Sequence, residues 1–559
     1  VVLSRRSFLR GLGLTAGASL LPGAVASALP RTDVLGAPRA SLPYLLVQLA
    51  RVRATVEQTD YLGANYDLTE HGHQGRYDVV LWPGDGDRLR RDGFEFDVVV
   101  PDLVGRDIEE RLAEARAAQQ TPAGQVTYRF LADYEREMEA LAAEHPHIVR
   151  RFVLPHTTHE GRTVAALELA SDVNAQRDGR PASLIMGLHH AREWPSAELT
   201  MDFAVDLVAR HRAGDPATVA LLDGVRLFVI PVVNPDGFVR SRETISDFLA
   251  PLPGVAALAG EFAYHRKNMR RHGAVPLTGQ GVDPNRNYPY KWGGGGTSAS
   301  TAGATYHGPS PASEPEIRNV LELLKSEQVV TLISNHTYSD LVLRPFGDTL
   351  LDTPDEPDIK GHADAMAAIN GYRSIKGLQL YITTGTTEDW VYGVTGAYAF
   401  TFEIGSAGII GLGNTLPTEA AGFHPQYNLH VRNFYSRNAG AFLLNVQKAM
   451  DTGSHVVLEG RAPAGTVLTV EKSVVIPLSK PDPALPDAGR TRVETVRTTL
   501  AVGDSGAYTW HLNPSPTPQT LLDGRAKETY TLTAVRPDGT TVVDAAFLAE
   551  RGKRYTRDF

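Results

Sequence analysis

The chain of 559 residues contains no cysteine. Disulfides, thiolate metal sites and cysteine nucleophiles are therefore excluded. Any metal must be held by His, Asp or Glu, and any nucleophile must be an oxygen, a nitrogen or an activated water. Long apolar runs are also missing: past the first thirty or so positions, no predominantly apolar stretch approaches the ~20 residues of a spanning helix. There is no excess of positive charge. The formal net charge is −9, which argues against nucleic acid as a partner. No internal repeat occurs, and no low-complexity tract beyond Gly293–Gly296. What remains is ordinary for a globular protein, 42% hydrophobic and 21% charged, and long enough for about three domains.

The N-terminus carries its own information. Arg5-Arg6 precede Phe8-Leu9, a short uncharged stretch runs from Gly11 to Leu21, and Ala24-Val25-Ala26 and Ala26-Ser27-Ala28 are small-residue cleavage sites. This resembles a twin-arginine export signal. The alternative, a membrane anchor, needs a longer and less glycine-rich run. Residues 1–28 are expected to be a signal peptide, which makes the protein secreted, without a stable membrane anchor.

A Pro/Ala/Leu-rich linker is expected over 29–43. Residues 44–104 read as a small α+β unit, with strands at Tyr44–Leu49, Tyr77–Trp82 and Phe94–Val100 and a polar helix or turn in Gly84–Gly93. A connecting helix and linker fill 105–125. The segment 126–450 is the largest. Leu131, Tyr134, Met138 and Leu141 recur at helical spacing; Ser183–Leu188, Val225–Val233, Val329–Ser334 and Tyr398–Phe402 are apolar strands; Leu199, Phe203 and Leu207 mark one helix face and Ile317–Leu324 another. Such alternation predicts an α/β fold, a largely parallel mixed sheet with helices on both faces. From Ser454 onward only short strands are expected, with a hairpin turn at Arg536-Pro537-Asp538-Gly539. Residues 451–559 therefore read as a β-sandwich.

The chemistry gathers at strand ends. His190 and Glu193 follow the strand Ser183–Leu188, and open α/β sheets bind ligands at the carboxyl ends of their strands. His336 follows Val329–Ser334 in the equivalent place. Two histidines and one carboxylate, with a fourth position left to water, make a catalytic zinc set, and zinc brings that water's pKa to about 7. Glu403, at the end of Tyr398–Phe402, is a candidate base. His189 reads as a packing or surface neighbour of His190.

Taken in order, these motifs resemble the zinc carboxypeptidase family typified by pancreatic carboxypeptidases A and B. The match runs through Gly187-Leu188-His189-His190-Ala191-Arg192-Glu193-Trp194, Asn234-Pro235-Asp236-Gly237, Arg266-Lys267-Asn268, Asp283-Pro284-Asn285-Arg286-Asn287, Tyr306-His307-Gly308, Ser313-Glu314-Pro315-Glu316, His336-Thr337-Tyr338-Ser339, Tyr381, Asp389-Trp390 and Thr401-Phe402-Glu403. Tyr381 and Asp389 precede Glu403 by the family's own spacings. The resemblance implies one zinc ion held by His190, Glu193 and His336, with Asp283 accepting the other ring N–H of His190. It implies Glu403 as general base toward the zinc-bound water and Arg266 beside the carbonyl oxygen that becomes negative. Asn285, Arg286 and Tyr381 would grip the terminal carboxylate of a peptide or protein substrate.

Glu388 matches a position deep in the family's side-chain pocket. An acid there implies basic C-terminal residues, unless Glu388 turns away or meets Lys376, which also falls near the pocket. The unit at 44–104 resembles the family's activation domain in position and size. The stretch after Gly237, including Phe248–Gly254, departs from the family pattern as an apolar insert. Two other functions are carried: an amidase or peptidase acting on peptidoglycan stem peptides with the same zinc centre, and a catalytically silent protein that binds C-terminal tails.

Overall fold

The computed structural model describes residues 46–559 except 74, 121–126, 175–177, 244–262, 274–278, 406–421 and 484–488. The expected export signal at 1–28, the linker at 29–43 and the apolar insert at Phe248–Gly254 lie outside the described residues.

The first sheet is four-stranded and antiparallel, in the order β2-β3-β1-β4, from β1 (Gln48–Arg53), β2 (Asp67–His73), β3 (Arg76–Leu81) and β4 (Phe96–Val100). Helix α1 (Gln58–Asn65) precedes β2, and α2 (Asp85–Arg91) occupies the polar stretch before β4. Strand β1 lies several residues later than the sequence pattern suggests, and β2 was not foreseen. Its sequence, Asp-Leu-Thr-Glu-His-Gly-His, carries no apolar alternation: Leu68 alone joins an apolar cluster, and the strand start is held by polar contacts. Asp67 accepts Trp82 Nε1 at 3.1 Å and both terminal nitrogens of Arg192 at 2.7 Å each. Arg192 is fully buried, also donates to the Tyr264 carbonyl (3.2 Å), and lies over the Phe423 ring at 4.3 Å. Removing one member of a buried pair strands the other charge. Asp67→Asn is accordingly expected to cost on the order of 3 kcal/mol, seen as an earlier urea transition; an unchanged transition would show that the pair contributes nothing net.

Helix α3 (Leu103–Gln120) leads to α4 (Leu131–Glu144) and the central eight-stranded sheet. Its strands are β5 (Val149–Val153), β6 (Ala165–Leu169), β7 (Ala182–Gly187), β8 (Arg226–Ile230), β9 (Val329–His336), β10 (Leu341–Arg344), β11 (Arg373–Lys376) and β12 (Tyr398–Glu403). Their spatial order is β11-β10-β12-β9-β7-β8-β6-β5. The four central strands β12, β9, β7 and β8 are parallel to one another, while β10 pairs antiparallel with β12, and β6 with β8 and β5. Every residue of β7, β9 and β12 is buried, which is why each reads as an apolar run rather than an alternation. Helix α5 (Trp194–Arg212) packs on β7, β8 and β9. Gly187 allows its approach: a Cβ there would lie 2.6 Å from the Ser196 carbonyl oxygen. Helix α6 (Pro216–Gly224), α7 (Pro315–Ser326) and α8 (Glu356–Asn370) follow, and α9 (Arg432–Lys448) covers β7, β9 and α5.

The C-terminal region forms two sheets, β16-β13-β19 and β15-β14-β17-β18. These are β13 (Val456–Arg461), β14 (Val467–Pro477), β15 (Thr491–Ala501), β16 (Ala507–Leu512), β17 (Tyr530–Val535), β18 (Thr541–Phe547) and β19 (Arg554–Thr556). Val456, Leu458, Leu468, Val470, Trp510 and Leu512 share one core, whereas Val474, Ile476 and Val496 join the core of the central sheet. The region is thus docked rather than separate. The sequence suggests two strands where β14 is continuous. The break in its apolar pattern is Lys472, which points inward and donates to the Pro514 carbonyl at 2.8 Å.

Candidate active site and metal centre

The chain leaves β7, runs through β8 on one side and returns as β9 on the other, so the strand order reverses at β7/β9. That is where open sheets form ligand crevices. His190 and Glu193 follow β7, and His336 ends β9. Leu188, just before the first pair, adopts φ 58°, a costly backbone state for a branched residue that turns the chain back over the sheet end. Register places the next residue: Glu403 of β12 is the direct Cα partner of His336.

His190, Glu193 and His336 bring one donor atom each within 4.8 Å of one another, all buried. His190 Nδ1 lies 2.6 Å from Glu193 Oε1, His336 Nδ1 lies 2.9 Å from Glu193 Oε2, and the two Nδ1 atoms are 3.1 Å apart. Two imidazoles and a carboxylate directed at one point fit a divalent ion with nitrogen and oxygen preference. On its far side His190 Nε2 meets Asp283 Oδ1 at 3.1 Å, and Arg266 Nε donates to Asp283 Oδ2 at 3.0 Å. Arg266 NH1 is 3.8 Å from Glu193 Oε1. Burial by itself would raise the Asp283 carboxyl, but Arg266 and His190 hold it well below the usual carboxylate range. Burial opposes ionisation of Glu193 too, and the two histidines outweigh it, lowering its pKa.

A crevice opens beside this cluster, lined by His190, Asn285, Arg286, His336, Tyr381, Glu388 and Glu403 among others. Arg286 Nε donates to the Gly296 carbonyl (3.1 Å) and NH1 to the Asn285 carbonyl (2.8 Å); among the described residues no carboxylate pairs with it. Gly296 has φ 70°, a Cβ there would lie 1.9 Å from the Ile382 carbonyl oxygen, and its N–H donates to Asp60 Oδ1 of α1 at 2.7 Å. The first sheet unit thus braces the loop that holds Arg286. Tyr381 is buried in an apolar cluster that joins Leu62 of that unit to Leu341 of β10 and Leu380.

Glu388 is buried and accepts Thr401 Oγ1 at 3.0 Å. The alternative partner, Lys376, is elsewhere: its Nζ meets the Leu350 and Leu351 carbonyls (3.1 and 2.9 Å) and Asp352 Oδ1 (2.7 Å). Lys376 therefore does not neutralise the pocket, because three oxygens of the 350–352 loop satisfy it first. Beside Glu388, burial and then the Glu388 carboxylate push Asp389 well above its ordinary pKa; its oxygens accept the Gly347 N–H.

His189 is not a surface neighbour. It is fully buried, stacked on His336 at 5.5 Å, and hydrogen-bonded at both ring nitrogens. Ser334 and Thr401, which touch His336 and Glu388, also escaped the sequence reading. Both lie two residues before a candidate site residue on the same strand, hence on the same face, and that periodicity was the available signal.

A second group, His159, Glu314 and Glu316, also clusters. Glu314 there is saturated by Ser313, Arg270, Asn268 and His159, and Arg270 already supplies the cation. Burial and then the Glu314 carboxylate push Glu316 up to about 7. Its neutral form is favoured in the fold, so its contribution is complete below about pH 4.5 and is lost as pH rises through about 7. Glu316→Gln is expected to stabilise the protein by on the order of 1–3 kcal/mol at pH 8 and to leave it unchanged at pH 4.5, measured by urea unfolding; an equal effect at both would contradict the assignment.

The family described as zinc carboxypeptidase (peptidase M14) matches residues 134–427, more than half of the chain. Carboxypeptidase A1 of Rattus norvegicus is 28% identical over 335 residues, 58% of this chain and 74% of that protein. Carboxypeptidase A2 of Mus musculus is 27% identical over 338 residues, with the same coverage. The crystal structure of carboxypeptidase A from Helicoverpa armigera superposes with a TM-score of 0.60 at 20% identity, over 73% of this chain and 98% of that one; at that identity it speaks for the fold. With the strand-end histidines, the carboxylates and the crevice in place, the chain belongs to the zinc carboxypeptidase family.

Proposed function

We propose that this zinc metallocarboxypeptidase releases single residues from peptide C-termini, with preference for Lys and Arg, and that His190, Glu193 and His336 hold its one zinc ion. The reading is carried by one cavity lined by the two candidate metal histidines, Glu403, Arg286 and Glu388. Zinc held there supplies Lewis acidity, bringing a water within reach of deprotonation at neutral pH. Glu403 takes the proton of the attacking water and returns it to the leaving amine. Arg266 faces the carbonyl oxygen as its charge develops. Asp283 holds the Nε2–H of His190, leaving Nδ1 free to donate its lone pair. Arg286, with Asn285 and Tyr381, binds the terminal carboxylate through parallel hydrogen bonds, which restricts cleavage to a chain end.

The basic preference is supported by Glu388, a buried carboxylate with no cation beside it among the described residues. A substrate ammonium or guanidinium supplies that cation. We read 44–104 as an activation-domain-like cover that braces the site, 126–450 as the catalytic domain and 451–559 as an accessory β domain. Export by the twin-arginine route is inferred from Arg5-Arg6 and the small-residue sites that follow. Among the described residues no helix is long and apolar enough to cross a membrane.

The test is hydrolysis of N-blocked dipeptides ending in Arg, Lys, Phe, Leu or Glu, with and without a chelator. Chelator-sensitive release of Arg or Lys is expected. No release from any of them, while a peptidoglycan stem peptide is cut, would transfer the activity to that substrate class; binding without cleavage would leave a tail-binding protein.

A further inference from the structure

The polar network behind His336 has a proton order that the donors and acceptors themselves dictate. It begins at Asn285. The backbone N–H of Thr387 reaches Asn285 Oδ1 at 2.9 Å, which identifies that amide atom as the oxygen. Thr387 Oγ1 is 2.9 Å from the same oxygen. An amide oxygen only accepts, so the single hydroxyl proton of Thr387 goes to Asn285, and Thr387 Oγ1 can only accept in turn. Its other neighbours are His189 Nε2 at 3.3 Å and the Tyr288 hydroxyl. With the Thr387 proton committed to Asn285, the Tyr288 hydroxyl donates to Thr387 Oγ1, and its oxygen accepts from His189 Nε2 at 2.9 Å, so Nε2 carries the hydrogen.

A neutral imidazole with Nε2–H has its lone pair on Nδ1. His189 Nδ1 lies 3.3 Å from Ser334 Oγ, so the Ser334 hydroxyl donates to it. Ser334 Oγ then accepts from its remaining neighbour, His336 Nε2, at 3.1 Å. His336 is thereby the Nε2–H tautomer, and its Nδ1 lone pair faces Glu193 and His190. The four side chains His189, Ser334, Thr387 and Tyr288 are all buried, so water offers no alternative partners.

We infer that His189 is a positioning residue: acting through Ser334, it sets the tautomer in which His336 presents Nδ1 to zinc, and it links that ligand to the substrate anchor Asn285. The physical need is specific to this ligand. His190 is backed by a carboxylate, which can only accept, so Asp283 leaves one tautomer open to it. His336 is backed by a hydroxyl, which both donates and accepts and would tolerate either tautomer alone. His189 removes that ambiguity by occupying the Ser334 proton. Outer partners of this kind orient metal-bound histidines and raise their affinity.

The inference rests on His336 being a zinc ligand, and the experiment separates the two. Zinc affinity of the full chain is measured by competition with a chelator, together with the absorption bands of the cobalt-loaded protein and the thermal unfolding of the metal-free protein. His189→Leu is expected to weaken zinc binding by about 10–100-fold and to shift the cobalt bands, whereas His189→Gln, whose amide oxygen accepts from Ser334 and whose nitrogen donates to Tyr288, is expected to stay within about 3-fold of the wild type. Ser334→Ala should lose affinity as His189→Leu does, and in that background His189→Leu should add nothing. Should the leucine variant fail to fold, Ser334→Ala and His189→Gln carry the comparison. A folded His189→Leu that binds zinc as tightly as the wild type, equal losses in the leucine and glutamine variants, or a full additional loss in the Ser334→Ala background would each overturn the inference. Tight zinc binding by His336→Ala would overturn the ligand assignment instead.

Discussion

Glu403→Gln is expected to lower kcat by about 10²–10⁴-fold, the range of a general base, while the protein still binds one zinc per chain. Glutamine keeps the size of the side chain and its carbonyl oxygen but cannot take a proton from water. Glu403 lies at the end of β12, beside His336 in register, buried and lining the cavity. It is outside the group of three donors that converge on the metal point, so metal content should not follow activity. The measurement is kcat on a blocked dipeptide alongside zinc analysis of the purified variant. Retained activity would remove Glu403 from the chemistry. Loss of zinc along with activity would make it a ligand.

Glu388→Leu is the second large effect, and it falls on specificity. The expected change is about a 10³-fold swing in relative kcat/KM from C-terminal Arg toward C-terminal Leu, or roughly 4 kcal/mol. Glu388 is buried with one oxygen engaged by Thr401 Oγ1, and Asp389 next to it is pushed toward its neutral form. A cationic substrate side chain completes that environment. An apolar one leaves the Glu388 carboxylate desolvated and unpaired, which costs several kcal/mol. With leucine in its place the penalty reverses. A wild-type enzyme that already prefers Phe or Leu would show that Glu388 is neutralised by other means and does not read the substrate.

The candidate metal ligands and the candidate base stand out in sequence because of where they sit. Strands β7, β9 and β12 are buried on both faces, so each is an apolar run, and a polar residue at its end stands out. Strand β2 was not legible, since Asp67 and its neighbours are ordered by partners such as Arg192, distant in sequence and invisible to any local pattern. Strand β14 was split for the opposite reason: Lys472 looks like a surface residue and is an inward one, its amine satisfied by backbone carbonyls.

By itself the sequence determined the chemistry available to this protein: without cysteine, a metal had to take His and carboxylate donors, and the motifs at the strand ends supplied them. Only the tertiary structure decided how they are used. Register set Glu403 beside His336, the loop at 350–352 drew Lys376 away from Glu388, and Ser334 and Thr387 made His189 a hydrogen-bonded neighbour of the site rather than a bystander. Hydrogen bonds and ion pairs act over a few ångströms, and the fold alone brings residues far apart in the chain within that range.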